Sequence, residues 1–339
     1  MQTIVQEEEK PLGVIDSLQK GFDLLNHHLW LLLIPILLDI FLWLGPRLSL
    51  APLVSRFIKS LSDQPDVPEQ FTANIDVAIE SLRTLGTNYN LLALLTGPLT
   101  GLPSLRTRLD FQSVNILHNQ VITLTQWQTA AFWIVVLVPV GILIGSLWLT
   151  LIAFSLKHER LGMTAFLSRW CWVWLNINLY LLALLASIAL FALFFGVAGA
   201  FILLLFGAAG AIIFSILWML FVGFSVWLWI GLYFVVYAIA LDGVNLASAI
   251  WRSLNVVGRN AMSTLGFLIL AMLLTEGFSR IWMRIGGYAW GVLLGALGNA
   301  YLGTAIAVAA FLFYQSRYYH WQKTRLIILG QRLEQDDLS

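Results

Sequence analysis

Long apolar runs separated by short polar, turn-forming stretches dominate the chain. Each run is far longer than a strand, so the pattern predicts helices. The first run, Leu29 to Leu44, is closed by Gly45-Pro46 and contains Pro35, which predicts a kinked first span over 29–45. Ala130 to Leu156, with Pro139 inside it, predicts a second. From Trp170 to Leu241 there is no Asp, Glu, Lys or Arg. Two helices of about 30 residues, split near Gly207 and Gly210, account for that run most simply, since each can cross ~30 Å of hydrocarbon with tilt. Three shorter passes, or a re-entrant piece over 196–210, are the alternatives. A fifth span is read from Met262 to Glu276, with an extension to Trp282, and a sixth from Tyr288 to Tyr314. The predicted fold class is all-α, a polytopic membrane protein with about six transmembrane helices.

Amphipathic segments precede every second span. Ile15, Leu18, Phe22 and Leu25 form one stripe, opposite Asp16, Gln19, Lys20 and Asp23. Met163, Phe166, Trp170 and Trp174 form another, and Leu246, Ile250, Leu254 and Val257 a third. This weak repeat predicts three hairpin-like units, each an interfacial helix followed by two spans. The organisation read from it is an N-terminal interfacial segment over 1–28, the first span over 29–45 and five further spans over 129–315. Interfacial helices lie at 160–176 and 243–259, and a polar tail at 316–339.

Residues 46–128 differ from the rest, with as many acidic as basic residues. They predict an extracytoplasmic segment with short helices of its own. Phe71, Ile75, Ile79, Leu82 and Leu85 lay one apolar stripe along a helix, and Leu53, Phe57 and Leu61 do so more briefly. Between Leu91 and Leu105 the sequence is apolar but broken by Gly97-Pro98, Gly101 and Pro103. It is too short to span, and is expected to rest at the level of the lipid headgroups.

Composition narrows the class. The chain has 339 residues, 59% apolar and 11% charged, with a mean hydropathy of +0.83. Soluble domains carry roughly 25% charged residues, so an ordinary soluble enzyme, a disordered chain and a disulfide-stapled domain are excluded. The net charge of +1 gives no basic excess for nucleic acid, and the single Cys171 excludes a multi-cysteine metal site. Glu7, Glu8 and Glu9 precede the first apolar run, where a cleaved leader would be basic. The first span is therefore expected to remain as an anchor.

Charge also orients the spans. Lys10, Lys20, Lys157, Arg160, Arg169, Arg252, Arg259, Arg317, Lys323, Arg325 and Arg332 fall on one predicted side. The short loops opposite carry only Arg280 and Arg284. Basic residues accumulate on the cytoplasmic side, so both termini are expected there and 46–128 outside.

The run Ala249-Ile250-Trp251-Arg252-Ser253-Leu254-Asn255-Val256-Val257-Gly258-Arg259-Asn260, after Leu241-Asp242-Gly243, resembles a motif of a bacterial six-helix membrane domain. That domain is found fused to some glycerophosphodiester phosphodiesterases and in uncharacterised stand-alone membrane proteins. Tyr314-Gln315-Ser316-Arg317 is similar to its aromatic-x-x-Arg ending. The likeness covers about 12–330 in layout, but only these two stretches in residues. It implies the fold and a bacterial cytoplasmic (inner) membrane. The phosphodiesterase is a separate soluble barrel with no counterpart in these residues, so the likeness implies no such activity. The long 46–128 segment departs from the short connections of the pattern.

Candidate sites are few. Asp39 lies within the first span, where an ionised carboxylate costs roughly 3 kcal/mol. Proton or cation handling is one reading; pairing inside the protein, or a place near the outer end, is the favoured one. Glu276, Arg280 and Arg284 share a helix face at spacings of four. They read as a surface salt bridge, or else as a site for lipid phosphate. His27 and His28 point apart and lack a third metal ligand. Asn176, Asn178 and Asn299 can bridge helices. Gly287, Gly291 and Gly295 form a strip for close helix approach, toward this chain or a second copy.

No P-loop, GxSxG, HExxH, CxxC or GxGxxG motif occurs. No enzyme activity, cofactor or metal is expected. The leading expectation is a non-enzymatic organiser or accessory of lipids or membrane protein partners, self-association included. A transporter or permease using Asp39 and the kinked spans is the alternative.

Overall fold

The computed structural model describes residues 10–62, 69–105, 120–157, 162–286 and 288–336. These residues are mostly helical, and their strands form one three-residue parallel ladder, Arg47–Ser49 (β1) with Val121–Thr123 (β2). The chain divides into two compact units. The first comprises 1–23, 156–269 and 308–339; the second comprises 24–155 and 270–307. Four helices are long and apolar enough to cross a membrane, and a fifth crossing results if one bent pair acts as a single span.

That bent pair is α1 (Val14–His27) and the segment Leu29–Leu44, which meet at 95°. Leu29–Leu32 is a 3-10 turn, so α2 is left with only the 12 residues Leu33–Leu44. At 1.5 Å per residue that is ~18 Å, short of the ~30 Å of hydrocarbon. In place of one kinked span, the predicted first span is a tight turn and a short helix.

The second unit also holds the 46–128 segment. Helices α3 (Ala51–Ser62) and α4 (Glu69–Asn88) pack where Gly86 meets Val54; an added Cβ there would lie 2.8 Å from the valine. Leu53 is buried in this packing, while Phe57 and Leu85 are exposed. Leu61, Phe71 and Ile75 have side chains outside the described residues. Most apolar side chains of the 91–105 stretch are covered by protein. Leu91, Leu92, Leu95, Leu102 and Leu105 are buried in the protein. Its carbonyls and Thr100 lie on Gly141 and Gly145 of α5 (Trp127–Lys157), where any Cβ would collide with them. The missing side chains on α5 make a notch, and the apolar loop fills it.

The first unit is built on α6 (Met163–Gly231), whose 69 residues would extend ~100 Å if straight. It is not straight. Gly207 has φ +50° and ψ −126°, a conformation open to glycine and strained for other residues. Beyond it the chain turns back. Phe195 packs on Phe221 with ring centroids 4.3 Å apart, Gly199 meets Phe214, and Tyr180 donates to the Leu232 carbonyl at 3.5 Å. One partner's number falls as the other's rises, so the two arms run antiparallel. The break lies at the predicted position. Very little of the most apolar stretch of α6 is buried, against two thirds of that in α10 (Ala289–Asp336).

Two predicted boundaries are corrected. The segment 160–176 is no separate interfacial helix, because α6 runs unbroken from Met163; residues 158–161 lie outside the described residues. The tail predicted over 316–339 continues α10 as helix to Asp336. After α6 come α7 (Val235–Asp242), α8 (Leu246–Arg259) and α9 (Ala261–Ile285). Phe234, Phe267, Phe311, Phe313 and Tyr314 form the buried aromatic centre of this unit, with Phe234 stacked on Phe313 at 5.6 Å.

Candidate functional site

The densest polar cluster lies in the first unit, at the turn from α7 to α8. Gly243 ends α7 with φ +65°, in the left-handed region that favours glycine. The Arg169 guanidinium occupies the space a side chain at Gly243 would need. It donates to the carbonyls of Ala240 and Leu241, at 3.3 and 3.0 Å, where the ending helix leaves acceptors free. Trp172 Nε1 donates to the Gly243 carbonyl at 3.1 Å, and Asn176 accepts from the Leu246 N–H at 3.0 Å. Arg169, Trp172 and Asn176 stand at helical spacing on α6. This face of α6 clamps the α7–α8 turn. The Asn245 side chain then accepts from the Ser248 N–H and starts α8.

Asp242 sits at the centre of this turn, with its side chain 6% exposed. Its carboxylate accepts from Arg252 Nη1 at 2.5 Å, Tyr314 Oη at 2.8 Å and Tyr319 Oη at 2.9 Å. Arg252 also stacks on Tyr318, 4.6 Å from the ring centre, and Arg259 lies over Trp321 at 5.1 Å. Burial works against the Arg252 charge, but Asp242, Tyr314 and Tyr318 outweigh it, so its pKa is raised above the usual arginine value. The next residue of the motif, Ser253, is fully buried. It donates to the Gly231 carbonyl at 2.6 Å and accepts from the Phe234 N–H at 3.1 Å. Those are the groups freed where α6 gives way to α7. The two stretches that carry the family resemblance thus converge, with Arg252 and Tyr314 both on Asp242. Sequence reading missed Asp242 as a site. The available signal was that it is the first charge after the long charge-free run, with Arg252 ten residues beyond it.

Asp39, singled out from the sequence, lies in the second unit and is 1% exposed. It accepts from the Ser104 hydroxyl and from the Leu105 N–H at 3.0 Å. A cavity of about 10 Å³ adjoins it, lined by Ile40, Trp43, Leu105 and Val292 among others. That is room for at most one water.

The remaining candidates are scattered. On α9, Glu276 is half-buried, while Arg280 and Arg284 are exposed. His28 Nδ1 lies 3.0 Å from the Leu24 carbonyl. Asn178 bonds its own helix at Trp174, and Asn299 is buried. Gly287 lies outside the described residues. A Cβ at Gly291 would strike the Ile285 carbonyl, and one at Gly295 would lie 3.0 Å from Leu105 and 3.4 Å from Trp282. The neighbours of these two glycines belong to this chain. Gly141 and Gly145 form the same spacing on α5 and were passed over.

Near the chain ends, Arg317 is 6% exposed, lies over the Phe313 ring at 3.5 Å and donates to the Leu12 carbonyl at 2.8 Å. This bond holds residues 10–12 against α10. A cavity of about 520 Å³ opens there, with Lys10, Lys20, His320 and Lys323 in its wall. Among the described residues, no three His, Cys, Asp or Glu side chains gather as a metal would need. The chain matches no family model, no curated protein and no solved structure.

Proposed function

We infer that this is a multi-pass protein of the bacterial inner membrane that acts without catalysis, as an organiser or accessory of membrane lipids or membrane protein partners. The observation that carries the reading is the outward surface of the α6 arms. Leu182, Ile188, Leu204, Met219 and Trp229 are all exposed along them. Apolar surface on that scale calls for lipid or another helix. The two buried carboxylates, by contrast, find partners inside the chain. Asp39 and Asp242 are buried and bonded, which favours an organiser over a permease with a wet path.

Six crossings with both termini in the cytoplasm fit the same reading. α5, the two arms of α6, α9 and α10 supply five long helices. The bond between Arg317 and Leu12 supports placing head and tail on one side, which requires an even number. The bent α1–α2 pair then acts as the sixth crossing. The basic residues favour the cytoplasm for that side. The resemblance to the six-helix domain belongs here too, since both of its motif stretches serve the Asp242 cluster.

The test is extraction in mild detergent, with identification of co-purifying lipid and protein. A defined lipid or partner at reproducible stoichiometry is expected. Solute uptake or efflux by the purified protein in liposomes, abolished in Asp39→Asn, would replace this reading with the transporter.

A further inference from the structure

We propose that the cavity between residues 10–20 and α10 is a binding site for a phosphate group, the phosphate of an anionic phospholipid or of a soluble phosphate ester. Leu312, Gln315, Tyr319, His320, Lys323 and Ile327 line it from α10. Leu312, Gln315, Tyr319, Lys323 and Ile327 recur at spacings of three and four, which places them on one face of the helix, with His320 beside them. Lys10 and Lys20 face them from the head of the chain. Among the described residues, no Asp or Glu lines the cavity. Among the described residues, none of Lys10, Lys20 and Lys323 forms an ion pair.

The wall is fixed in place. Arg317 holds Leu12 by its carbonyl, and Tyr319 is anchored from behind by Asp242. Arg317 adds a buried positive charge next to the wall, and its Nε has no hydrogen-bond partner. Several cations facing one another around a concave surface repel unless an anion lies between them, and such a surface raises the local anion concentration. Lysines act on phosphate as mobile point charges, which suits a tetrahedral group of variable pose better than the planar fork a carboxylate prefers. The volume of about 520 Å³ suits a headgroup-sized ligand. Pro11, Leu12, Leu312 and Ile327 bring apolar surface to the same cavity, and Leu326 and Ile327 are exposed beside it. A phosphate with an acyl tail would use both. The lipid source rests on the membrane reading above, whereas the phosphate chemistry does not.

The test titrates the purified full-length chain in nanodiscs of phosphatidylcholine with phosphatidylglycerol. Inorganic phosphate and glycerol 3-phosphate are the soluble arms. Saturable binding of phosphatidylglycerol is expected. Each of Lys20→Gln and Lys323→Gln should weaken it about fivefold, and the pair about twenty-five-fold, from ~1 kcal/mol per lysine near an anionic surface. Lys20→Arg with Lys323→Arg should retain it, which guards against a folding defect. Arg56→Gln with Arg83→Gln removes as much charge from exposed positions elsewhere and should change nothing. Competition by the soluble arms only at far higher concentration assigns the site to lipid; competition at equal concentration assigns it to a soluble ester. No saturable binding in either arm, or equal loss in the arginine control, overturns the proposal. Solute flux lost in Asp39→Asn with phosphatidylglycerol binding intact would overturn the organiser reading alone.

Discussion

Asp39 and Asp242 are both buried carboxylates, and they are held in different ways. Asp39 accepts from Ser104 and Leu105, adjacent residues of one loop. Asp242 accepts from Arg252 on α8 and from Tyr314 and Tyr319 on α10. The first carboxylate secures a loop against a short helix; the second ties the end of α7 to α8 and to α10. Yet Asp39 stands out in the sequence, alone in an apolar run, while Asp242 looks like an ordinary polar residue ending a span. How unusual a charge looks along the chain is therefore a poor measure of how much structure depends on it. The number of elements whose donors reach it is a better one.

The largest effect that can break this comparison is expected from Asp242→Ala. It strands the Arg252 guanidinium, 23% exposed, and the fully buried Tyr314 hydroxyl. Removing one partner of a buried pair costs about 3–5 kcal/mol, and the partial exposure of Arg252 places this case near 3. Chemical unfolding in detergent should show that loss. A loss under about 1 kcal/mol would mean that water replaces the carboxylate, and the contrast with Asp39 would vanish.

Asp39→Ala comes next. It leaves the Ser104 hydroxyl and the Leu105 N–H without their carboxylate in a dry site, at about 1–3 kcal/mol for each unsatisfied group. Local relaxation of the loop should keep the total near 2. Asp39→Asn should cost roughly half as much, since its amide oxygen still accepts one bond. If the alanine variant proves costlier than Asp242→Ala under the same conditions, the loop rather than the helix junction is the weak point of the molecule.

The sequence made parts of this legible and hid others. Apolar length placed α5 and α9, and the amphipathic period placed α8, because in these the burial pattern and the helix coincide. The break near Gly207 was legible because glycines cluster in the middle of a charge-free run too long for one crossing. The ends of α6 and α10 were not. Arg169, Trp172 and Asn176 bond backbone groups some seventy residues away, which no local pattern reveals. Nor could the fate of 91–105 be read, since the Gly141–Gly145 notch that receives it lies on another helix. At the candidate site, Arg252, Ser253 and Tyr314 were visible as motif residues. Their convergence on Asp242 depends on long-range packing that periodicity does not encode.

Within the Asp242 cluster the two tyrosines sharpen the comparison further. Tyr314→Phe removes a buried charge-assisted bond and should cost about 1.5 kcal/mol, the lower end for bonds to charged groups, because Arg252 still serves the same oxygen.

Tyr319→Phe should have the smallest effect. The side chain donates to Oδ1, the oxygen that Arg252 and Tyr314 do not use, so on hydrogen-bond counting alone its loss should match or exceed that of Tyr314. Exposure decides otherwise. Tyr319 is 39% exposed whereas Tyr314 is fully buried, so water can take the place of the lost hydroxyl at Oδ1. The expected cost is about 0.5 kcal/mol, as for an exposed polar pair. The double mutant should show losses that add, because each tyrosine serves a separate oxygen and only one site is closed to solvent. A strongly non-additive result would mean that the carboxylate shifts as a unit when either hydroxyl is removed. In that case its rigidity, rather than the count of its donors, is what separates Asp242 from Asp39.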